Sequence, residues 1–184
     1  PMKDAHTTHF GNRTVALADK PGLVQGLFSQ VAGSYDLMND VLSFGVHRLW
    51  KDALIDWVKP RPGQRFLDLA GGTGDVAFRL ARALKGQQDG ITVCDLTPAM
   101  LHEGEARADK LPELGPLTWV AGDAMALPFA DQRFDAVTMA FGLRNVAEPA
   151  RALADIRRVL RPGGRLFCLE FSKVVLPILD KAYD

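Results

Sequence analysis

Residues 65–75, Arg65-Phe66-Leu67-Asp68-Leu69-Ala70-Gly71-Gly72-Thr73-Gly74-Asp75, restrict the fold more than any other stretch. A short apolar run with one central acid meets three glycines. Val76, Ala77, Leu80, Ala81 and Leu84 then recur at helical spacing. The pattern is strand, tight turn, helix. Glycines let the backbone turn sharply and let a ligand come close. A new helix also points unpaired N–H groups at whatever sits there. Two ligand classes fit. Gly72-Thr73-Gly74-Asp75-Val76-Ala77 matches G-x-G-x-x-A, a form of the dinucleotide fingerprint. Asp68 to Gly74 also matches acid-x-small-x-Gly-x-Gly, the loop of S-adenosylmethionine (SAM) enzymes, which makes Asp68, Gly72 and Gly74 candidate cofactor contacts. A turn that binds nothing is the third reading.

The 184 residues suffice for one domain with a real core. An apolar fraction of 47% and a charged fraction of 24% are those of a soluble globular protein. The formal net charge is zero, so no overall basic field argues for nucleic acid. No apolar run reaches membrane-spanning length. Cys94 and Cys168 each lie in an apolar strand-like run and read as buried free thiols, which fits a reducing cytosol. His6 and His9 lack the further ligands a metal needs, and no metal site is expected.

Residues 1–19 are polar and without sustained period, and read as a mobile arm. Residues 20–184 read as one domain, with a helical segment over 20–60 and a core over 61–184. In the helical segment, Leu23, Val24, Leu27, Phe28 and Val31 make one face, and Tyr35, Met38, Val41 and Leu42 a second. Val46, Leu49, Trp50, Ala53, Leu54, Trp57 and Val58 make the clearest. This segment is either packing on a sheet or a lid over its strand ends. Strands are expected at 66–69, 91–94, 117–120, 134–139 and 165–171, with helices between them. Thr97-Pro98 opens one helix, and Arg161-Pro162-Gly163-Gly164-Arg165 turns another back into a strand. Such alternation implies an α/β parallel sheet.

Ligands of open parallel sheets bind at the carboxyl ends of the strands. Asp95 closes the second strand, about twenty residues after the glycines, where an acid accepts from both ribose hydroxyls. NAD and SAM fit it equally, and so does a helix cap. Gly122-Asp123-Ala124-Met125-Ala126-Leu127-Pro128-Phe129 follows the third strand. Asp123 can pair with an adenine amino group while the Ala124 region's backbone N–H reaches a ring nitrogen, a need of SAM enzymes rather than of dinucleotide domains. Arg144 and Asn145 close the fourth strand and face the pocket if the sheet geometry holds; a surface ion pair is the other reading of Arg144.

These segments resemble the ubiquinone/menaquinone biosynthesis C-methyltransferases. The match is carried by Tyr35-Asp36-Leu37-Met38-Asn39-Asp40, Ser43-Phe44-Gly45-Val46-His47-Arg48-Leu49-Trp50-Lys51, the glycine loop, Phe141-Gly142-Leu143-Arg144-Asn145, Arg158–Leu166 and Leu169-Glu170-Phe171-Ser172-Lys173. The resemblance implies a Rossmann-like SAM methyltransferase sheet, strand order 3-2-1-4-5, flanked by helices with an N-terminal helical lid. The family's last two strands are absent from the sequence, so a shortened sheet with one open edge is expected.

It also implies the reaction: methyl transfer from SAM to a ring carbon of a prenylated quinol. By position, SAM contacts fall on Thr73, Asp95, Asp123 and Ala124, over a backbone floor of Gly72 and Gly74. A quinol carbon becomes nucleophilic once a neighbouring hydroxyl loses its proton. Arg144 suits phenolate stabilisation and not general-base work, because a guanidinium stays protonated. A water held by Arg144, Asn145 and Asp75 is the expected proton relay. Tyr35, Asn39, His47 and Arg48 are the expected lid contacts to the quinol, with helix packing the competing role for His47. A prenyl tail implies transient contact with the cytoplasmic face of a membrane, by a cytoplasmic protein that forms a homodimer or joins a quinone-biosynthesis complex. N- or O-methylation of a small soluble acceptor, an NAD-dependent dehydrogenase and a non-catalytic scaffold remain the rivals.

Overall fold

The computed structural model describes residues 7–10, 13–16, 46–85 and 90–170. The lid positions Tyr35 and Asn39, the two helices expected before residue 46, and the segment after 170 lie outside them. The described elements are β1 (Thr7–Phe10), β2 (Arg13–Ala16), α1 (Val46–Val58), β3 (Phe66–Leu69), α2 (Asp75–Ala83) and β4 (Ile91–Asp95). They continue with α3 (Pro98–Ala108), β5 (Leu117–Ala121), β6 (Phe134–Ala140), α4 (Pro149–Val159) and β7 (Leu160–Leu169).

Five strands form one sheet in the order β5-β4-β3-β6-β7, every neighbouring pair parallel. Counted within the sheet, this is 3-2-1-4-5, as expected. Leu67 lies opposite Thr92 on one side and Val137 on the other, which puts β3 at the centre. All four β3 residues are buried, because helices cover both faces. Their side chains alternate. Phe66 joins a cluster with Leu54, Val58, Leu80 and Ile91 beneath α1 and α2. Leu67 and Leu69 join Phe134, Val137, Ile156 and Val159 beneath α4. Each such buried side chain contributes about 1.5–3 kcal/mol.

The inward face of α1 differs from the expected one. His47, Lys51, Leu54 and Val58 are buried, whereas Leu49 and Trp57 are 67% and 69% exposed and Trp50 is 38% exposed. The apolar positions of this helix run most of the way round it, so hydrophobicity alone does not fix its rotation. An ion pair does: Lys51 Nζ lies 2.7 Å from Asp75 Oδ2 at the start of α2. The lysine stem packs as an apolar rod along the way.

Three further differences concern the ends of the chain and the last strand. Within the arm expected over residues 1–19, β1 and β2 pair antiparallel, Thr7 opposite Ala16 and Phe10 opposite Arg13. Two positions of composition Gly11-Asn12 separate the strands, a hairpin signal that outweighs missing alternation. The turn expected at 161–165 is absorbed into β7: Leu160 pairs with Phe134, then Arg165 with Ala136, and the residues between loop out. Gly163 there has φ +79°, a conformation glycine adopts without strain. Cys168, expected to be buried, is exposed on β7, because that strand borders the described sheet; Cys94 is buried as expected.

Candidate active site

The loop between β3 and α2 is built from below by Asp68. Its Oδ2 accepts from Ala77 N at 3.1 Å, in the first turn of α2, and its Oδ1 accepts from Thr138 Oγ1 at 2.9 Å. Full burial pushes the Asp68 carboxyl up to about 7, against the pull of these donors and of Lys51. This corrects the expectation of a cofactor contact. Asp68 is sealed beneath the loop and spends its oxygens on the protein's own N–H and hydroxyl groups. The glycines are also demanded by the protein itself. A Cβ on Gly71 would lie 2.7 Å from Val93, and one on Gly74 2.6 Å from the Trp119 ring. Gly72 and Gly74 adopt φ +55° and +82°. Thr73 is buried, and its Oγ1 accepts from Arg107 Nη1 of α3 at 3.0 Å, so its side chain faces α3.

Asp95 ends β4 and reaches back to the loop. Oδ2 accepts from Gly72 N and Oδ1 from Thr97 N, both at 2.8 Å. Burial raises its pKa, while the backbone donors of Thr97 and Gly72 pull the other way. Asp95 therefore orients the entry to α3; Thr97 makes no side-chain cap bond of its own. The Thr97 hydroxyl and the Leu96 backbone N–H also donate to this carboxylate, so a ribose diol has to share or displace some of these donors. Asp123 follows β5 on the adjacent strand end, its Oδ1 accepting from Met125 N at 2.9 Å. Burial raises the Cys94 thiol to about 12, with the charges of Asp95 and Asp123 adding to it, so the two carboxylates flank one residue. Ala124 packs on the cluster beneath α4.

The Asp123 loop is pinned by residues that sequence reasoning overlooked. Arg158 donates from Nη2 to Leu127 O at 2.9 Å and from Nη1 to Phe129 O at 2.7 Å. Asp155 Oδ2 takes Leu127 N at 2.5 Å, and the same carboxylate holds Arg158. Arg158 opens a stretch that carried the family resemblance but was given no role, and its i,i+3 spacing to Asp155 was the available signal.

Arg144 and Asn145 form a short 3-10 turn after β6. A Cβ on the preceding Gly142 would lie 2.6 Å from Ala70 Cβ, so this turn abuts the glycine loop. Arg144 pairs with Glu170, Nη2 to Oε1 at 3.1 Å, and its guanidinium lies 5.5 Å from the Phe141 ring centroid. Glu170 was overlooked as a site residue, although an acid at a strand's carboxyl end was the same signal that singled out Asp95. Asp75 does not join this turn. Its carboxylate is held by Lys51 and by Arg79, and although burial pushes its pKa up, these two cations hold it below the usual range. Of the expected water network, Arg144 and Asn145 share one turn, while the Asp75 oxygens are held by Lys51 of α1 and Arg79 of α2. His47 is buried on the inward face of α1 and Arg48 is exposed.

Carboxylates at two adjacent strand ends suit a ribose diol and an exocyclic amine. They favour a cationic sulfonium and oppose a pyrophosphate. The residues present thus fit SAM better than a dinucleotide.

Comparison with known proteins agrees. The family described as ubiE/COQ5 methyltransferase matches residues 13–184. The chain is 58% identical over 177 residues to the ubiquinone/menaquinone biosynthesis C-methyltransferase UbiE of Paracoccus denitrificans, covering 96% of the chain and 70% of that relative. It is 54% identical over 180 residues to the UbiE of Cereibacter sphaeroides, covering 98% and 71%. Among solved structures, the [4+2]-cyclase SpnF superposes with a TM-score of 0.70 at 26% identity, over 84% of this chain and 62% of that one.

Proposed function

We propose, from the premise that this chain belongs to the ubiE/COQ5 methyltransferase family, that it transfers a methyl group from SAM to a ring carbon of a prenylated benzoquinol or naphthoquinol. The observation that carries the reading is the contact of Gly142 with Ala70, which sets the Arg144-Asn145 turn against the glycine loop. A cation that can meet a phenolate then stands beside a cradle for the methyl donor.

Bound SAM supplies an electrophilic sulfonium methyl. The chain's residues do the rest. Asp95 and Asp123 would hold the ribose and adenine ends of SAM, and the loop at Gly72 and Gly74 its methionine end. Arg144 stabilises the oxygen that becomes negative as the quinol hydroxyl gives up its proton to water. Charge on that oxygen delocalises to the ring carbon, which forms the new carbon–carbon bond to the methyl group as the methyl–sulfur bond breaks and its electron pair stays on sulfur as a neutral thioether. The same carbon then releases its hydrogen as a proton and the ring regains aromaticity. Asn145 orients the water or the quinol oxygen. Of the expected lid residues, His47 and Arg48 open α1 and are the described ones proposed to keep bulk water from the quinol; Tyr35 and Asn39 lie outside the described residues. Residues 20–184 act as one methyltransferase domain behind the arm.

The substrate's tail places it in a membrane, so the protein meets the membrane's cytoplasmic face from a cytoplasmic pool. Among the described residues no helix is long and apolar enough to cross a membrane. Titration calorimetry with SAM and NAD, followed by a methyl-transfer assay on demethylated quinols, tests the proposal. Binding of NAD alone, or turnover only on amines, overturns it.

A further inference from the structure

We infer that Glu170 is the positioning residue for Arg144, a carboxylate that fixes where the guanidinium points before substrate arrives. The inference rests on the phenolate-stabilising role proposed for Arg144. Glu170 stands just beyond β7, and the neighbouring Leu169 carbonyl accepts from Phe141 N at 2.7 Å, which fastens the start of the turn after β6. From there one carboxylate holds a single residue twice. Oε2 accepts from Arg144 N at 3.1 Å, and Oε1 lies 3.1 Å from Arg144 Nη2. Oε1 is buried and makes no hydrogen bond among the described residues; its contact to Nη2 is an ion pair off the hydrogen-bond line.

Further constraints on Arg144 come from Phe141. Arg144 Nε donates to Phe141 O at 3.3 Å, and the guanidinium lies by the Phe141 ring. Phe141 itself has φ +58°, a left-handed backbone uncommon for a bulky residue. Its ring sits 6.4 Å from Trp50 of α1. The guanidinium is thus held between the end of β7 and a ring that touches the helical segment. This matters because a charge aimed at a developing phenolate acts best when it need not reorganise. An arginine side chain left to itself samples many rotamers. Without Glu170, that freedom has to be removed during the reaction.

The test compares Glu170→Gln with wild type in the full chain, by two readouts. The first is hydrogen exchange of the Arg144 Nε–H, followed by 15N NMR and assigned with Arg144→Ala. The second is methyl transfer to a demethylated quinol at saturating SAM. Glu170→Gln is expected to speed exchange at least fivefold and lower kcat at least tenfold, with the SAM Kd within twofold. In an Arg144→Ala background the same substitution is expected to change kcat less than threefold. Unchanged exchange, or full multiplicative losses in the double variant, overturns the positioning role. Faster exchange with unchanged kcat keeps the positioning and instead removes Arg144 from the chemistry. Should the glutamine variant fail to fold, Glu170→Asp, which keeps the charge and withdraws it by one carbon, is read the same way.

Discussion

Asp68 and Asp95 are both acids on neighbouring strands near the glycines, and the structure gives them opposite jobs. Asp68 lies under the loop and meets Ala77 N and Thr138; Asp95 stands at a strand end and meets Gly72 N. The difference predicts different phenotypes. Asp95→Ala is expected to weaken SAM binding more than tenfold, read by calorimetry, since hydrogen bonds to a charged group contribute about 1.5–3 kcal/mol. Asp68→Asn is expected to change stability against pH. The folded Asp68 pKa is raised from 3.8 to about 7, so the folded state binds the extra proton in that window. The stability linked to this group is complete below the unfolded value and is lost as pH rises through about 7. The urea midpoint of the wild type should therefore fall between about pH 5 and about pH 7 on this group's account, and the Asn variant should fall less. Asp75 acts in the opposite direction. Its pKa is lowered, so its contribution is present above the ordinary carboxylate range and is lost as pH falls through the depressed value.

At the scale of elements, α1 and the loop after β5 are each seated by a cation that composition conceals. Lys51 ties α1 to α2 through Asp75. Lys51→Met keeps the apolar stem and removes the charge, and should cost about 1–3 kcal/mol in urea unfolding. Arg158 ties the Asp123 loop to α4. Arg158→Ala should raise the SAM Kd about tenfold, with kcat at saturating SAM little changed, because the loop that carries Asp123 loses two carbonyl anchors. The five sheet strands and the helices between them were legible from period and punctuation. The rotation of α1 was not. Its sequence is apolar on too many sides, and the choice among faces fell to a contact with Asp75, twenty-four positions away. The β1–β2 hairpin escaped for the opposite reason: its strands are short and polar, and backbone pairing alone defines them.

For the whole molecule, ligand linkage gives the broadest check. SAM at a hundred times its Kd should stabilise the full chain by about 2.7 kcal/mol, seen as a higher urea midpoint, whereas NAD at the same concentration should leave the midpoint in place. The sequence by itself determined the parallel α/β sheet, the strand ends that matter and the family, because these rest on local periodicity and on motifs contiguous in the chain. Only the tertiary structure decided that Asp68 is sealed beneath the loop. It turned Asp75 toward α1, set Glu170 against Arg144, and filled the space beside Gly74 with Trp119. Those partners are distant in sequence, and burial and Coulomb attraction act on distance in space, which no local pattern records.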